Sequence, residues 1–359
     1  MKTVLVALEF PPKFGGVETY YGKVAEYWPE ELGVIDNSNN RLISPNLPLF
    51  GWLRGFIVIW RYIKANRPDW LLAGEILPIG TIAWILSFFG TFKYAVILHG
   101  LDFSLATKSS LKRYISKQIL SRANLVLSAN SFTAEQVKTT FPIVKNITVI
   151  NPGVEINLPK ISENEIIDFK KAKELEEAFT IVTLGRLVKR KGVDMVLAAL
   201  AEVSLIIPKL RYIIIGDGPE KAYLTNIIHQ LDLDDNVRIV SNISDEEKNL
   251  WLASSDIFIM TARNINGDYE GFGIAYLEAG VFSKPVIAGS SGGVSEAVQD
   301  DINGLIVNEE DSKSIAAAII RLYNDRDLSY RLGKKGQEKS LQQSWKIQVD
   351  KIYSLLKNI

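Results

Sequence analysis

Glu270 and Glu278 stand eight positions apart in the segment Glu270-Gly271-Phe272-Gly273-Ile274-Ala275-Tyr276-Leu277-Glu278. The first lies in a glycine-rich loop and the second inside the apolar run that follows. The stretch Phe272–Phe282 has helical composition, which puts Gly271 and Gly273 at or just before a helix N-terminus, around Phe272, Gly273 and Ile274. Unpaired backbone N–H groups and the positive end of the macrodipole favour an anion there, such as a phosphate. Glu270 would hang over that anion, and Glu278, about two turns on, would accept hydrogen bonds from sugar hydroxyls. Phosphate and hydroxyl recognition together suggest a nucleotide sugar. Two glutamates on a helix also describe an ordinary solvated face, and Gly-x-Gly alone is a weak signal. The rest of the chain has to decide.

Ligands of open parallel sheets bind beyond the C-terminal ends of the strands, and further groups fall at such places. Gly15-Gly16 follow the first strand in Pro11-Pro12-Lys13-Phe14-Gly15-Gly16. They allow close backbone approach to a ligand, or simply a tight strand-to-helix turn. No Gly-x-Gly-x-x-Gly dinucleotide fingerprint is present. His99-Gly100 end the strand-like run Ala95–Leu98, a position suited to touching substrate, whereas His229 lies within a helical run and reads as structural. Gly185-Arg186-Leu187-Val188-Lys189-Arg190-Lys191-Gly192 puts four cations within six residues at a strand end. Arg186 and Lys191 would hold a diphosphate by a fork and a point charge, unless the turn is merely solvated. Gly216-Asp217-Gly218-Pro219 and Gly292-Gly293-Val294-Ser295-Glu296 follow two more strands, the second offering another backbone anion site or a hydroxyl acceptor.

Alternating elements must position these groups. Strand-like runs at Thr3–Leu8, Trp70–Ala73, Tyr94–Leu98, Leu125–Ser128 and Ile147–Ile150 alternate with amphipathic helical runs. A second series follows at Thr180–Leu184, Arg211–Ile215, Val237–Val240, Ile257–Met260 and Pro285–Ile287. Continuous apolar strands separated by helices indicate parallel sheets covered on both faces, so the fold class is α/β with two doubly wound, Rossmann-like domains. A length of 359 residues is too great for one core, and the seam falls near Asn151-Pro152-Gly153. The chain has no cysteine and two histidines, which excludes disulfides, thiolate nucleophiles and Cys-based zinc sites and disfavours a multi-His metal site. Residues 1–155 carry 16 basic and 11 acidic side chains, hence +5, and the remainder carries 25 and 30, hence −5. Near-neutral overall charge with no basic stripe argues against nucleic acid. No secretion signal is evident, and the uncharged run 76–92 is broken by Pro78, Gly80 and Gly90, so it reads as a buried helix.

These motifs, in this order and over most of the chain, resemble the GT-B retaining glycosyltransferases of family 4. The E-x7-E pattern corresponds to Glu270 and Glu278, the Gly-Arg-Leu…Lys-Gly element to Gly185–Leu187 and Lys191-Gly192. Gly15-Gly16, His99-Gly100 and Gly216–Pro219 complete the set. Within the family the segments around Glu270–Ala279 and Val286–Gly293 look most like the phosphatidylinositol-mannosyltransferase branch, which uses GDP-mannose. Gly280, Val281 and Ser241 depart from the usual pattern. The resemblance implies two domains facing each other across a cleft and closing on the donor. One spans 1–155 and binds acceptor, joined by a returning C-terminal helix, 344–359; the other spans 156–343 and binds the nucleotide sugar. It implies a hexosyl transfer, mannosyl or glucosyl in type, with retention and without catalytic metal or other cofactor. Arg186, Lys191 and the helix N-terminus at Phe272–Ile274 would stabilise the leaving diphosphate. Glu270 and His99 would contact the sugar, Glu278 the ribose, and Gly15, Gly16, Gly185, Gly216, Gly218 and Gly273 would line the donor site. Alternatives are a UDP-sugar transferase with a soluble acceptor and a sugar-nucleotide 2-epimerase.

Five of the seven tryptophans lie within the first 84 residues. Trp52, Phe56, Ile59 and Ile63 share one face of a helical run that also carries Arg54 and Arg61, and Lys108, Lys112, Arg113 and Lys117 add a basic face. That combination suits docking on an anionic bilayer, or, for Trp60 and Trp84 above all, plain core packing. The expectation is a cytoplasmic enzyme at the inner membrane face, acting on a phospholipid or lipid-linked glycan.

Overall fold

The computed structural model describes residues 1–12, 15–43 and 51–359. Two compact units are present, Met1–Gly153 together with Trp345–Ile359, and Val154–Ser344. Each is built on a six-stranded, wholly parallel sheet.

In the first unit the strands are β1 (Thr3–Val6), β2 (Leu32–Ile35), β3 (Trp70–Ala73), β4 (Lys93–Leu98), β5 (Leu125–Ser128) and β6 (Ile147–Val149), in the order β2-β1-β3-β4-β5-β6. In the second they are β7 (Phe179–Leu184), β8 (Leu210–Ile215), β9 (Val237–Val240), β10 (Ile257–Met260), β11 (Val286–Ala288) and β12 (Leu305–Ile306), in the order β12-β11-β10-β7-β8-β9. Strand order reverses between β1 and β3 in the first sheet and between β7 and β10 in the second, which is where open sheets of this kind bind ligands.

The second sheet is buried on both faces. Tyr212 and Ile214 of β8 and Ile257 and Ile259 of β10 join one apolar cluster. Ile213 and Ile215, with Phe258 and Met260, join another. Successive side chains point to opposite faces, so both must be apolar, and the strands read as continuous hydrophobic runs. The helix Trp345–Asn358 packs against the helix Gly16–Tyr27, with Trp345 edge-on to Tyr20 at 5.7 Å and Tyr353 edge-on to Trp28 at 5.6 Å.

Helix starts fall into two kinds. Scaffold helices Ser110–Arg122, Ser131–Thr140, Glu163–Ala172 and Asp245–Ser254 begin with Ser109, Asn130, Ser162 and Ser244, whose side chains accept backbone N–H groups. The helices after β1, β4, β7 and β10 begin instead at Gly15, Gly100, Gly192 and Gly273, with no side-chain cap bond. Three of these four flank a point of strand-order reversal. Uncapped N–H groups are thereby presented where a ligand is expected.

The run 76–92, read from sequence as one buried helix, is a short turn over Ile76–Gly80 followed by the helix Thr81–Leu86, and Phe88 and Phe89 beyond it are exposed. His229, read as structural, is an exposed residue paired with Asp234.

Candidate active site

In the second unit the loops leaving β7 and β10 meet at the strand-order reversal. Gly192, at φ 71°, lets them touch: a Cβ there would lie 2.0 Å from the Thr261 carbonyl oxygen, and the Thr261 hydroxyl donates to the Gly192 carbonyl at 3.0 Å. Beyond Arg263 the β10 loop reverses through Asn266-Gly267, both at positive φ, with Ile265 and Asp268 exchanging backbone bonds of 2.9 and 3.0 Å. Asn-Gly is the pair such a two-residue turn demands. The return strand carries Asp268 and Glu270 back onto the cations of the β7 loop.

There Glu270 Oε2 receives Lys191 Nζ at 2.7 Å and Arg190 Nη1 at 2.7 Å, while Arg190 Nε reaches Asp268 at 2.9 Å. Glu270 is buried, which works against its ionised form. Lys191 and Arg190 outweigh that burial and hold its pKa below the usual carboxylate value. Glu270 is therefore an acceptor only, and its second oxygen takes part in neither ion pair. Sequence reasoning counted Arg190 among the four cations but assigned it no role; here it clamps the first glutamate of the motif. Arg186 is exposed and forms no ion pair among the described residues, which leaves its guanidinium fork open.

The helix after this loop spans Ile274–Val281, two residues shorter at its start than expected, with Gly273 as N-cap at φ 85°. Phe272 lies outside the helix and its side chain is core, so only its backbone is available to a ligand. Glu278 lies on this helix and is paired with Lys248 Nζ at 2.8 Å.

Two glycine pairs hold loops of the site together. A Cβ on Gly216, at φ 154°, would sit 1.9 Å from the Gly185 carbonyl oxygen, and one on Gly218 would sit 2.3 Å from that of Leu187. Gly216 and Gly218 thus seat the β8 loop against the backbone of the β7 loop, supporting Gly185 and Arg186 from behind. Gly292-Gly293, read as a further anion site, shape the Glu270 loop instead: the Gly293 N–H donates to the Glu270 carbonyl at 3.0 Å.

In the first unit, His99 directly follows β4. Its Nε2 lies 2.9 Å from the Tyr21 hydroxyl, which itself donates to the Gly74 carbonyl. Tyr21 has one hydrogen to give, so His99 Nε2 is the donor and Nδ1 is left as an acceptor. Tyr20 packs edge-on to the imidazole at 4.8 Å. Burial pushes the His99 pKa down to about 4, so the ring is neutral near pH 7. Asp102 Oδ1 accepts the N–H groups of His99 and Gly100 at 3.0 and 2.9 Å, fixing the strand end. Glu75 and Asp102, to which sequence reasoning gave no role, each have one buried oxygen without a hydrogen bond. Burial is the main cause raising both pKa values, Glu75 well above the ordinary range and Asp102 up to about 6. At Gly16 a Cβ would meet nothing within 4 Å, so open space remains in front of that backbone. Lys13 and Phe14 of the same loop lie outside the described residues.

Asp102 makes a pH prediction. Its folded pKa, about 6, exceeds the ordinary aspartate value of 3.8, so its stabilising contribution is full below pH 4 and lost as pH rises through 6. The ionised form then costs roughly 3 kcal/mol. Asp102→Asn keeps an acceptor for both N–H groups and cannot ionise. It is expected to be more stable than the parent at pH 8 and equal to it below pH 4, as read by denaturant titration at the two pH values.

Comparison with known proteins places these geometries. Residues 164–339 match the family described as glycosyl transferases group 1, and residues 14–158 match glycosyltransferase family 4. The chain is 26% identical over 358 residues to the GDP-mannose-dependent alpha-(1-6)-phosphatidylinositol monomannoside mannosyltransferase of Mycobacterium tuberculosis, covering 94% of this chain and 93% of that one. It is 25% identical to the corresponding monoacylated-substrate enzyme of Corynebacterium glutamicum, covering 99% and 98%. Among solved structures, Anabaena HepE in complex with UDP superposes with a TM-score of 0.81 at 21% identity and complete coverage of both chains. A glycosyltransferase from Rickettsia africae superposes with a TM-score of 0.84 at 19% identity, covering 99% and 98%.

Proposed function

This chain belongs to the family 4, group 1 glycosyltransferases of the GT-B fold, and from that premise we propose that it moves a hexosyl group, with retention of anomeric configuration and without a catalytic metal, from a nucleoside diphosphate sugar to a hydroxyl of a lipid or lipid-linked glycan. The observation that carries this reading is Glu270, ionised and clamped by Lys191 and Arg190, beside the uncapped helix start at Gly273 and the open Arg186.

In this reading the donor diphosphate takes the Arg186 fork, Lys191 and the first N–H groups of the helix Ile274–Val281. The bond from the anomeric carbon to the diphosphate oxygen breaks, and the acceptor oxygen bonds to that carbon on the same face. The acceptor proton passes to the departing phosphate. Negative charge grows on the diphosphate during this step, and fixed cations and dipoles aimed at it lower the barrier without reorganisation. The second oxygen of Glu270 accepts hydrogen bonds from sugar hydroxyls and Glu278 accepts from the ribose, while in the first unit the neutral Nδ1 of His99 is an acceptor for a substrate hydroxyl.

The mannosyltransferase relatives, whose names specify GDP-mannose and phosphatidylinositol mannosides, support a GDP-mannose donor and a phospholipid acceptor. UDP bound to HepE supports the alternative, a UDP-sugar donor. A thermal-shift panel of GDP, UDP, ADP and their sugars separates them, since a ligand at 100 times its dissociation constant stabilises by about 2.7 kcal/mol. Stabilisation by GDP species is expected. Stabilisation by UDP species alone selects the alternative, and stabilisation by none overturns the donor site.

A lipid acceptor calls for a membrane-facing surface, and the face expected from sequence is not the exposed one. Ile59 is fully buried, and Trp52, Phe56 and Ile63 pack on the core. The outward stripe of the helix Trp52–Asn66 is Leu53, Ile57 and Trp60, the last 44% exposed, beside exposed Arg54, Arg61 and Lys64. Among the described residues no helix is long and apolar enough to cross a membrane. We assign the stripe to contact with an anionic bilayer. Cosedimentation with phosphatidylglycerol vesicles is expected, and to be lost in Trp60→Ser/Arg61→Ser; equal pelleting of both proteins would refute the assignment.

A further inference from the structure

The second glutamate of the motif is held before any donor arrives. Glu278 Oε1 lies 2.8 Å from Lys248 Nζ, and the same ammonium reaches Asp245 at 3.0 Å. Glu278 and Lys248 are both about three-quarters covered, whereas Asp245 is exposed. Burial disfavours the Lys248 cation, but Glu278 and Asp245 outweigh it and hold its pKa above the ordinary lysine value. Lys248 belongs to the helix Asp245–Ser254, part of the crossover from edge strand β9 to β10, which passes from one side of the strand-order reversal to the other. The pair is thus built from two separate elements that border the same crevice.

We propose that Lys248 is a positioning and specificity residue for the ribose of the donor, fixing the Glu278 carboxylate and adding a donor beside it; this rests on the donor-site reading above. The chemistry matches a vicinal diol. Each ribose hydroxyl is both donor and acceptor, and an adjacent carboxylate and ammonium supply both partners. A carboxylate held in place before binding also avoids the entropic cost of ordering a side chain on binding. As a helix-to-helix staple alone, a partly exposed ion pair would contribute little to stability and have no bearing on ligand choice.

The test is calorimetric binding of GDP, UDP and their 2′-deoxy forms to the parent chain, Lys248→Met and Lys248→Arg. The parent is expected to prefer the ribonucleotide about tenfold. Lys248→Met should weaken ribonucleotide binding about tenfold and the 2′-deoxy form far less, so that the preference collapses, and Lys248→Arg should restore part of it. Equal weakening of both forms by Lys248→Met, or no change in either, overturns the proposal while leaving the donor site standing. If Lys248→Met does not fold, unaltered ribose preference in Lys248→Arg and Lys248→Gln overturns it equally. Failure of the parent to bind any of the four nucleotides would remove the donor-site reading and this inference with it.

Discussion

Glu270→Gln is expected to lower kcat to about a hundredth or less while leaving the chain folded, and Glu270→Ala to do the same and also destabilise it by about 3–5 kcal/mol. The difference follows from what Glu270 touches. Its Oε2 receives two cations at 2.7 Å, and Arg190, Lys191 and Glu270 are all largely removed from water. Alanine leaves two cations close together without their shared counter-ion, and Asp268 can answer only Arg190. Glutamine keeps an oxygen of the same reach and so retains much of the geometry, but it loses the charge and the strength of its acceptor. For the second unit, a loss of that size corresponds to a fall in melting temperature on the order of 10 °C. Melting curves and single-turnover assays of the two variants separate the roles. Retained turnover in Glu270→Gln would remove Glu270 from the chemistry, and equal melting of both variants would show that the clamp contributes no stability.

Much of this was readable before the structure because the site lies on backbone features that sequence records directly. Apolar runs marked the central strands, and glycines marked the ends of those nearest the site. What sequence could not supply was direction. Lys189, Arg190 and Lys191 are alike in a sequence, and which of them turns inward is decided by the reversal at Asn266-Gly267, some seventy positions away, which returns Glu270 to the β7 loop. Gly216 and Gly218 stand out in the sequence as a strand-end turn, but their close approach to the backbone of the neighbouring loop depends on the pairing of β7 with β8 and is not written in it. The helix Trp52–Asn66 carries two apolar stripes, and periodicity alone cannot say which is core. Packing in the core of the first unit buries Ile59 and leaves Ile57 and Trp60 outside. The edge strand β2 and the two-residue β12 went unread because only one residue of β2 is buried and β12 is too short to show a pattern. The helix Arg326–Gln342 was missed because its sequence is strongly polar, with burial limited to scattered positions such as Leu328, Leu332 and Gly336.

Arg186→Ala is expected to show the reverse separation, a large loss of activity with no loss of stability. The side chain is exposed and has no ion-pair partner among the described residues, so truncating it removes no buried contact and strands no opposite charge. The position is nonetheless built with care. The Leu187 N–H donates to the Asp217 carbonyl at 2.8 Å, and Gly216 and Gly218 press the β8 loop against the backbone that carries Arg186. A loop so supported beneath a free guanidinium fits a group aimed at an arriving anion. Lys191 makes up only part of the loss, because its ammonium is also shared with Glu270. Losing one fixed cation from a developing diphosphate charge costs on the order of a hundredfold or more in kcat. Arg186→Lys should recover only part of this, since a point charge does not reproduce the two-pronged fit of a guanidinium to phosphate. An unchanged kcat in Arg186→Ala would move the leaving-group charge onto Lys191 and the helix start alone, and a lowered melting temperature would mean that Arg186 braces the loop it was taken to decorate.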